Sequence, residues 1–582
     1  MRLPPHVLGP TLVAVLLAAP APRHVHAADA PAAGAPATEP AEPPGQADLD
    51  AAIEAKLAAR SLDDYGRVLE LCKKALDKGL DEQGKTFAND LYTGTLVDRA
   101  GMLVDVILEA SGRDPQWPRM RAFAMRDLEE IVGRAPDLGQ ARLMIARLQA
   151  LPQGDRERAA AEARKAIELL DDDRRQKAQA HVVLAGVADD EAGRRKHFDA
   201  AVELAPRDVE VRRSRGLFHL VEDEFDAARG DLEAAVAEAP DDATLHEALG
   251  MACAMGEKFD DAHRAFDRAI ELAPKSPGPL LQRARLLAVQ EKFADALADL
   301  DRAVDLAPGD PGARLLRARV RIQADDEPGS REDLEAVLRR EPDNAAGLEM
   351  RAMLAAANQD FPAAIGDIRR ILSKRPDDVG LLGQLGMLYL FAEQPRKAIE
   401  RFTRALELDD ENFPCRRGRS DAAISIGDHQ AALADLEIAL TLKPDDPGVL
   451  NNLAWLLATS PDENIRDGAR AVELATKACE STNWRQAHIV STLAAGYAEQ
   501  GDYDNAKKYS RQAVETGGVT DEVREQLEKE LASYEESKPW RERQEDKDAV
   551  LDEETGSGRD RTAAKSAAPD EPGTPRRPFE DE

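Results

Sequence analysis

The sequence predicts an all-α protein in which helix hairpins stack on one another as an α-solenoid. A proline recurs every 34 residues, a period typical of stacked supersecondary units. Seven of eight successive slots hold it, and Asp410 fills the remaining one: Pro206, Pro240, Pro274, Pro308, Pro342, Pro376 and Pro444. Aromatic residues are only 4% of the chain, which favours packed helices over sheets. The 582 residues exceed what one compact core can hold, so a repeat array or several domains are expected.

Each 34-residue interval contains two helical patterns. In residues 241–276, one apolar-periodic helix ends near Gly256, and a second runs from Asp260 to Leu272 before Pro274 stops it. Pairs of acidic residues follow several of the prolines. We predict that they cap the next helix; the pairs are Asp241-Asp242, Asp377-Asp378 and Asp445-Asp446.

This pattern resembles the tetratricopeptide repeat (TPR). With the proline numbered as repeat position 32, small residues recur at positions 8, 20 and 27, where the two helices of a TPR cross closely. A bulky side chain there would cost about 1–3 kcal/mol. The resemblance implies a right-handed α-solenoid of TPR helix-turn-helix repeats in a bacterial protein of the exported type. The chain departs from the family pattern at Ser330, in position 20, and at Asp410.

The patterns divide the chain into six segments. They are a signal peptide (1–27), a disordered Ala/Pro-rich linker (28–48), a divergent helical N-terminal region (49–139), the TPR solenoid (140–520), a capping helix (521–540) and a disordered acidic tail (541–582). The helices of the N-terminal region are either TPR-like or a separate helical cap, and the sequence leaves both interpretations open.

The first 27 residues predict export. Arg2 precedes the apolar stretch TLVAVLLAA, and a small-residue cleavage site ends at Ala27. We therefore expect a periplasmic or secreted protein; the alternative is a leader that is never cleaved. No stable membrane span is expected, because the apolar stretch is too short and no later stretch reaches 18 apolar residues.

Composition and motifs argue against several function classes. A formal net charge of -32 disfavours nucleic acid as a partner. The four cysteines, Cys72, Cys253, Cys415 and Cys479, are widely spaced and form no CxxC, so we predict buried unpaired thiols. The sequence contains no HExxH, EF-hand or GxSxG motif. We expect neither an enzyme nor a metal or cofactor site.

One motif suggests a different function. Residues 79–86, GLDEQGKT, match the GxxxxGK[ST] pattern of phosphate-binding loops. That loop needs a preceding strand, whereas the residues before Gly79 have a helical pattern, and Asp81 and Glu82 would repel phosphate. The competing interpretation is a helix end at Gly79 and a turn before the next helix. Nucleotide binding at Gly84, Lys85 and Thr86 is kept as an alternative function.

Five repeats place an arginine at position 7, which is usually apolar in the family, and an aspartate at position 23. The pairs are Arg215 with Asp231, Arg283 with Asp299, Arg317 with Asp333, Arg351 with Asp367, and Arg419 with Asp435. Repeats without this arginine have no acid at position 23. Because a helix hairpin brings positions 7 and 23 together, we predict structural ion pairs. The alternative is a set of arginines that waits for an anionic ligand.

The family's concave groove is the candidate binding surface, and position 9 is one of its lining positions. It holds Asp421 and seven candidate binding residues: Leu217, Met251, Arg285, Arg319, Met353, Met387 and Trp455. Methionine and tryptophan suit adaptable binding of a peptide, and the two arginines suit an acidic segment. The alternative is that these residues pack against neighbouring helices.

Together these features predict a non-catalytic scaffold or adaptor of the bacterial cell envelope, which binds a peptide or protein in the groove. The alternatives are a nucleotide-binding or enzyme-accessory protein that uses residues 79–86, and a structural protein that self-associates, since an open solenoid can stack end to end.

Overall fold

The computed structural model describes residues 42–110, 116–516 and 520–542, and all regular structure within these ranges is α-helical. The predicted signal peptide, residues 28–41 of the predicted linker and residues 543–582 of the predicted tail lie outside the described residues. Within the described ranges, no helix combines the length and apolarity that crossing a membrane requires. The chain divides into two compact units, Met1–Arg215 and Gly216–Glu582.

The first unit is built from consecutive helix pairs, each packed as a hairpin. Its helices are α1 (Gln46–Ala58), α2 (Leu62–Lys78), α3 (Glu82–Ala110), α4 (Trp117–Arg134), α5 (Gly139–Gln149), α6 (Arg156–Leu169), α7 (Arg174–Val187) and α8 (Glu191–Leu204), and α9 (Val209–Val221) begins in this unit. Helices α3 and α4 enclose the largest buried side chains of the N-terminal region, Tyr92, Leu96, Ile107, Leu128 and Ile131.

The second unit continues as helix pairs, and the structure confirms an all-α stack of repeats. Its further helices are α10 (Phe225–Glu238), α11 (Ala243–Met255), α12 (Phe259–Leu272), α13 (Pro277–Val289), α14 (Phe293–Leu306), α15 (Pro311–Gln323), α16 (Glu327–Arg340), α17 (Ala345–Ala357), α18 (Phe361–Leu372), α19 (Val379–Phe391), α20 (Pro395–Leu408), α21 (Phe413–Ser425), α22 (His429–Leu442), α23 (Pro447–Thr459), α24 (Gly468–Ser481), α25 (Ala487–Glu499), α26 (Tyr503–Glu515) and α27 (Asp521–Glu535).

The ends of the helices follow from local chemistry. The predicted aspartate caps are confirmed: Asp242 accepts from the amide of Thr244 at 2.8 Å, and Asp378 and Asp446 each cap the next helix in the same way. In eight hairpins the turn is made by a residue at position 15 in the left-handed region, and Gly427 and Gly501 are two of these residues. The φ of the other six lies at 55–61°, at Asp223, Glu257, Glu291, Asp325, Gln359 and Glu393. A left-handed residue stops the helix, and the chain reverses.

Close packing within a repeat depends on positions 8 and 24. Phe402 is fully buried, and a Cβ atom added at Gly386 would lie 2.5 Å from its ring. Phe266 and Gly250 repeat this arrangement at the same distance. Leucine at position 24 faces alanine in two repeats, Ala284 with Leu300 and Ala318 with Leu334, but it faces glycine at Gly216 (Leu232) and serine at Ser420 (Leu436). Gly250 and Gly386 leave room for the rings opposite them, but the pairing is not a rule of the array, since Val182 lies opposite Phe198.

The C-terminal end of the array carries one more helix and a returning segment. Helix α27 buries Leu527, Glu530 and Tyr534, and burial raises the pKa of the Glu530 carboxyl. After α27 the chain turns back, and Trp540 packs against the core formed by α22–α26. The amide of Glu542 then donates to the carbonyl of Thr459, at 3.2 Å.

Candidate functional site

The arginine at position 7 makes a bridge between two repeats. Arg283 donates through Nε and Nη2 to both carboxylate oxygens of Asp299, at 2.7 and 2.6 Å, and through Nη1 to Asp267 at 2.5 Å. Asp267 lies at position 25 of the preceding repeat. The carboxylate of Asp299 is buried, whereas that of Asp267 is about half exposed. The hydrogen bonds that Arg283 donates to Asp299 are the main reason that the pKa of the Arg283 guanidinium is raised.

Three further repeats of the second unit contain the same forked pair. Arg317 binds Asp333, Arg351 binds Asp367 and Arg419 binds Asp435, with N–O distances of 2.6–2.8 Å. Position 25 of the preceding repeat adds Asp301 to Arg317 and Thr403 to Arg419. This third residue was not predicted from the sequence.

The remaining predicted pair, Arg215 with Asp231, spans the boundary between the two units and stays a prediction. Within the first unit, Arg215 donates to Asp199, at position 25 of its preceding repeat, at 3.0 Å. Asp231 is buried in α10. The divergent N-terminal region contains a comparable pair that was not predicted from the sequence. The guanidinium of Arg99 donates two hydrogen bonds of 2.8 Å to the carboxylate of Asp127.

One repeat of the first unit replaces the ion pair with two histidines. His181, at position 7, and His197, at position 23, share a hydrogen bond of 3.0 Å between their Nδ1 atoms. Burial is the main cause that lowers the pKa of both imidazoles, and the nearby charge of Lys196 lowers both further. Two nitrogens in contact need one donor and one acceptor, so at least one ring is neutral.

This histidine pair predicts a pH-dependent loss of stability. Because the folded pKa values lie below the unfolded value of about 6.5, the unfolded chain binds more protons as the pH falls through that value, and the folded state is destabilised. Replacing the pair with the residues of another repeat, His181→Leu with His197→Ala, removes this contribution. We expect urea midpoints between pH 7.5 and 5.5 to fall less in the variant than in the parent. Equal falls would contradict the assignment.

The predicted groove positions belong to a larger surface of the second unit. Among its described residues, eleven large apolar side chains are exposed, and seven lie at positions 9 or 13 of a first helix. We call these seven the apolar stripe: Leu217, Val221, Met255, Val289, Met353, Met387 and Phe391. Positions 9 and 13 are one helical turn apart and share a face. Helices α11, α13, α15 and α17 contact one another in succession, so their equivalent positions form a row. The other four stripe residues occupy the same repeat positions in α9 and α19.

The other predicted groove residues differ in their surroundings. Arg285 and Arg319 are exposed within the row, and Arg285 bonds Gln282 at 2.8 Å. Neither arginine forms an ion pair with a residue that the structure describes. Met251 is half-buried and packs against a core cluster, as the alternative interpretation expected. Trp455 donates from its indole nitrogen to the carboxylate of Glu542, in the returning segment.

Residues 79–86 form a helix end and a helix start. Gly79 ends α2 with a φ of 101°, and α3 begins at Glu82. The amide of Gly84 donates to the carboxylate of Asp81 at 2.7 Å, and Lys85 pairs with Glu82 at 2.8 Å. In this structure, groups that a phosphate-binding loop would offer to phosphate are bonded to carboxylates of the chain itself.

Comparisons with known proteins give one family. The tetratricopeptide-repeat model matches residues 219–277, 281–332, 315–379 and 384–461, and a second model described as a tetratricopeptide repeat matches residues 493–516. No curated protein matches the chain.

Similar solved structures include a tetratricopeptide-repeat protein from Parabacteroides merdae, with 17% identity, a TM-score of 0.35, and coverage of 45% of this chain and 99% of that one. PilW, a type IV pilus biogenesis factor, has 18% identity, a TM-score of 0.32, and coverage of 37% and 98%. YrrB, described as a TPR protein with an unusual peptide-binding site, has 21% identity, a TM-score of 0.29, and coverage of 32% and 96%.

Proposed function

Since the chain is a tetratricopeptide-repeat protein, we propose that it is a non-catalytic scaffold or adaptor that binds a segment of another protein along the apolar stripe. The stripe is the single observation that carries this proposal. Exposed apolar side chains gathered in a row mark interaction surfaces, whereas scattered ones need no explanation. Two of the seven are methionines at position 9, Met353 and Met387, and methionine adapts its shape to different partners.

The charges within the stripe define the chemistry of the partner. Arg285 and Arg319 lie at position 9 of two successive repeats, next to Val289 and before Met353 in the row. Both stand out on a chain with a net charge of -32. A segment with acidic residues near its middle and apolar residues on either side would complement them, and such complementarity favours one register. The proposed ligand is therefore an acidic, amphipathic peptide segment.

The proposed location is the bacterial cell envelope, either in the periplasm or outside the cell. The signal-peptide pattern of residues 1–27 supports it. The partner is then another exported protein, or the exported part of one. Self-association through the ends of the array stays a prediction.

Peptide binding to the full chain tests the proposal. We expect a fluorescent 15-residue peptide with glutamates in its middle and leucines on either side to bind. The Arg285→Glu, Arg319→Glu double variant should weaken this binding at least tenfold, because like charges then face each other; about 1.4 kcal/mol corresponds to tenfold. Met353→Glu with Phe391→Glu should weaken it similarly by removing apolar contact. Fluorescence anisotropy at two salt concentrations measures both effects.

A matched control variant distinguishes binding at the apolar stripe from non-specific hydrophobic binding. Leu306 and Leu408 are exposed to a similar degree as Met387 but lie at position 30 of second helices, outside the stripe. Leu306→Glu with Leu408→Glu should leave peptide affinity unchanged, and a peptide with lysine in place of glutamate should bind the parent poorly. If the control variant loses binding as strongly as the stripe variants do, the stripe is not the binding surface. Crosslinking to envelope proteins of the source organism would then identify the true partner and site.

A further inference from the structure

A cavity of about 390 Å³ opens between α18, α19 and α20, on the side of α19 away from the stripe. Its lining residues are Arg369, Leu372, Leu385, Tyr389, Lys397, Glu400 and Arg401. Leu385 and Tyr389 lie one turn apart on one face of α19, and Met387 and Phe391 lie one turn apart on the opposite face. The cavity and the apolar stripe are therefore separate surfaces of the same helix.

The cavity lies at the repeat positions that hold the arginine bridge elsewhere in the array. Here the positions that carry acids in the bridge carry arginines. In those repeats an arginine at position 7 lies between an acid at position 23 and a residue at position 25 of the preceding repeat; Arg283, between Asp299 and Asp267, is one case. In repeat 379–412, position 7 is Leu385, position 23 is Arg401, and position 25 of the preceding repeat is Arg369. Compared with the Arg283 bridge, arginines therefore occupy the two acidic positions, and a leucine occupies the position of the bridging arginine.

The two arginines lack the partners that their counterparts have. The guanidinium of Arg369 forms no hydrogen bond or ion pair with any residue that the structure describes. Arg401 donates through Nη2 to Glu400, its exposed neighbour, at 3.1 Å. The Nε of Arg401 is buried and has no hydrogen-bond partner among the described residues. With Lys397, the cavity holds three cations and one carboxylate, so an anion is the missing component.

The apolar residues that line the cavity indicate the uncharged part of the ligand. Leu372, Leu385 and Tyr389 are buried and give the cavity an apolar floor. The volume lies within the range of about 300–1,000 Å³ found for small-molecule sites. A guanidinium pairs with a carboxylate through two parallel hydrogen bonds. We propose that this cavity binds a small monocarboxylic acid with an apolar body, whose carboxylate lies between Arg369 and Arg401 and whose apolar part contacts Tyr389.

Calorimetric titration of the full chain with benzoate tests the site. We expect saturable binding with a Kd on the order of 1 mM, a weak affinity because Arg369 is exposed and its pairing with a carboxylate competes with water. Benzyl alcohol, which has the ring without the charge, and inorganic phosphate, which has the charge without the ring, should each bind at least tenfold more weakly. If benzoate does not saturate, or if benzyl alcohol binds equally well, the proposal is wrong.

Three variants locate the binding. Arg369→Asp, Leu385→Arg and Arg401→Asp combined rebuild the acid–arginine–acid arrangement found at Arg283 and Arg317, so this variant should fold and lose benzoate binding. Arg369→Gln alone alters an exposed side chain and should weaken binding several-fold without loss of structure. Arg404→Ala removes an arginine of the same helix that already pairs with Asp377 and Glu407, and it should bind benzoate as the parent does.

Two outcomes would overturn the assignment. Benzoate binding that survives the triple substitution, with unchanged affinity, would place the anion elsewhere. Binding of an acetylated Glu-Leu dipeptide amide at this cavity, in the absence of benzoate binding, would show that the cavity takes an acidic side chain of a protein partner instead of a free acid.

Discussion

We expect Asp299→Ala to lower the free energy of unfolding by about 3 kcal/mol, at the lower end of the range for leaving a buried charge without its partner. The substitution removes both carboxylate oxygens that hold Arg283, whose side chain is only 23% exposed. Asp267 remains bonded to the same guanidinium, and this is why the lower end of the range applies. Urea denaturation followed by circular dichroism measures the effect as a shift in midpoint.

Asp267, the exposed partner of Arg283, provides the control for Asp299→Ala. Asp267→Ala removes the exposed partner of Arg283 and should cost no more than about 1 kcal/mol, as exposed ion pairs do. The double variant Arg283→Leu, Asp299→Ala should be milder than Asp299→Ala alone, because it leaves no charge buried without a partner. Leucine and alanine already occupy these positions at Leu249 and Ala265. Equal midpoints for the single and the double variant would refute the structural role of the bridge.

We expect Gly386→Ala to lower the free energy of unfolding by about 1–3 kcal/mol, even though alanine favours helices more than glycine does. The new Cβ would lie 2.5 Å from the ring of Phe402, and Gly418 lies as close to the same ring, since a Cβ added there would also be 2.5 Å away. Adding Phe402→Leu should recover most of the loss, since Ala284 and Leu300 form that pair in another repeat. Urea-denaturation midpoints of the two single variants and the double variant form a double-mutant cycle, which measures the coupling between Gly386 and Phe402.

A matched glycine substitution provides the reference for this cycle. Gly366 lies in a helix, and a Cβ added there would meet nothing within 4 Å. Gly366→Ala should therefore stabilise the protein by about 1 kcal/mol through helix propensity alone. If Gly386→Ala stabilises to the same degree, the close contact with Phe402 does not limit the packing of the repeat.

The sequence predicted the parts of this fold that recur at a fixed interval. The proline at position 32 and the small residues at positions 8, 20 and 27 are visible by counting, and so are the helix hairpins that they imply. The left-handed turn at position 15 was not visible, because six repeats place Asp, Glu or Gln there and only Gly427 and Gly501 signal the conformation directly. The conformation is imposed by the packing of the two helices that the turn joins.

In the candidate site, too, the interactions that repeat at a fixed interval were predictable and the others were not. Positions 7 and 23 vary together along the chain, so their pairing could be anticipated, whereas position 25 holds Asp, Glu, Thr or Arg and shows no constant pattern. The Arg99–Asp127 pair was missed because its residues are 28 apart instead of 16. The contact between Trp455 and Glu542 was missed because it joins residues 87 apart. Interactions outside the repeat interval leave no periodic signal.

The pairing of position 8 with position 24 has a consequence for how such an array can grow. Both residues belong to one repeat, so duplication of a whole 34-residue unit carries a matched pair, either Gly250 with Phe266 or Ala284 with Leu300. Recombination between the helices of these two repeats would instead join Ala284 to Phe266, and a Cβ atom would lie where Gly250 leaves room for the ring. Exchange of these two repeats at their junctions is therefore expected to be tolerated better than exchange between their helices.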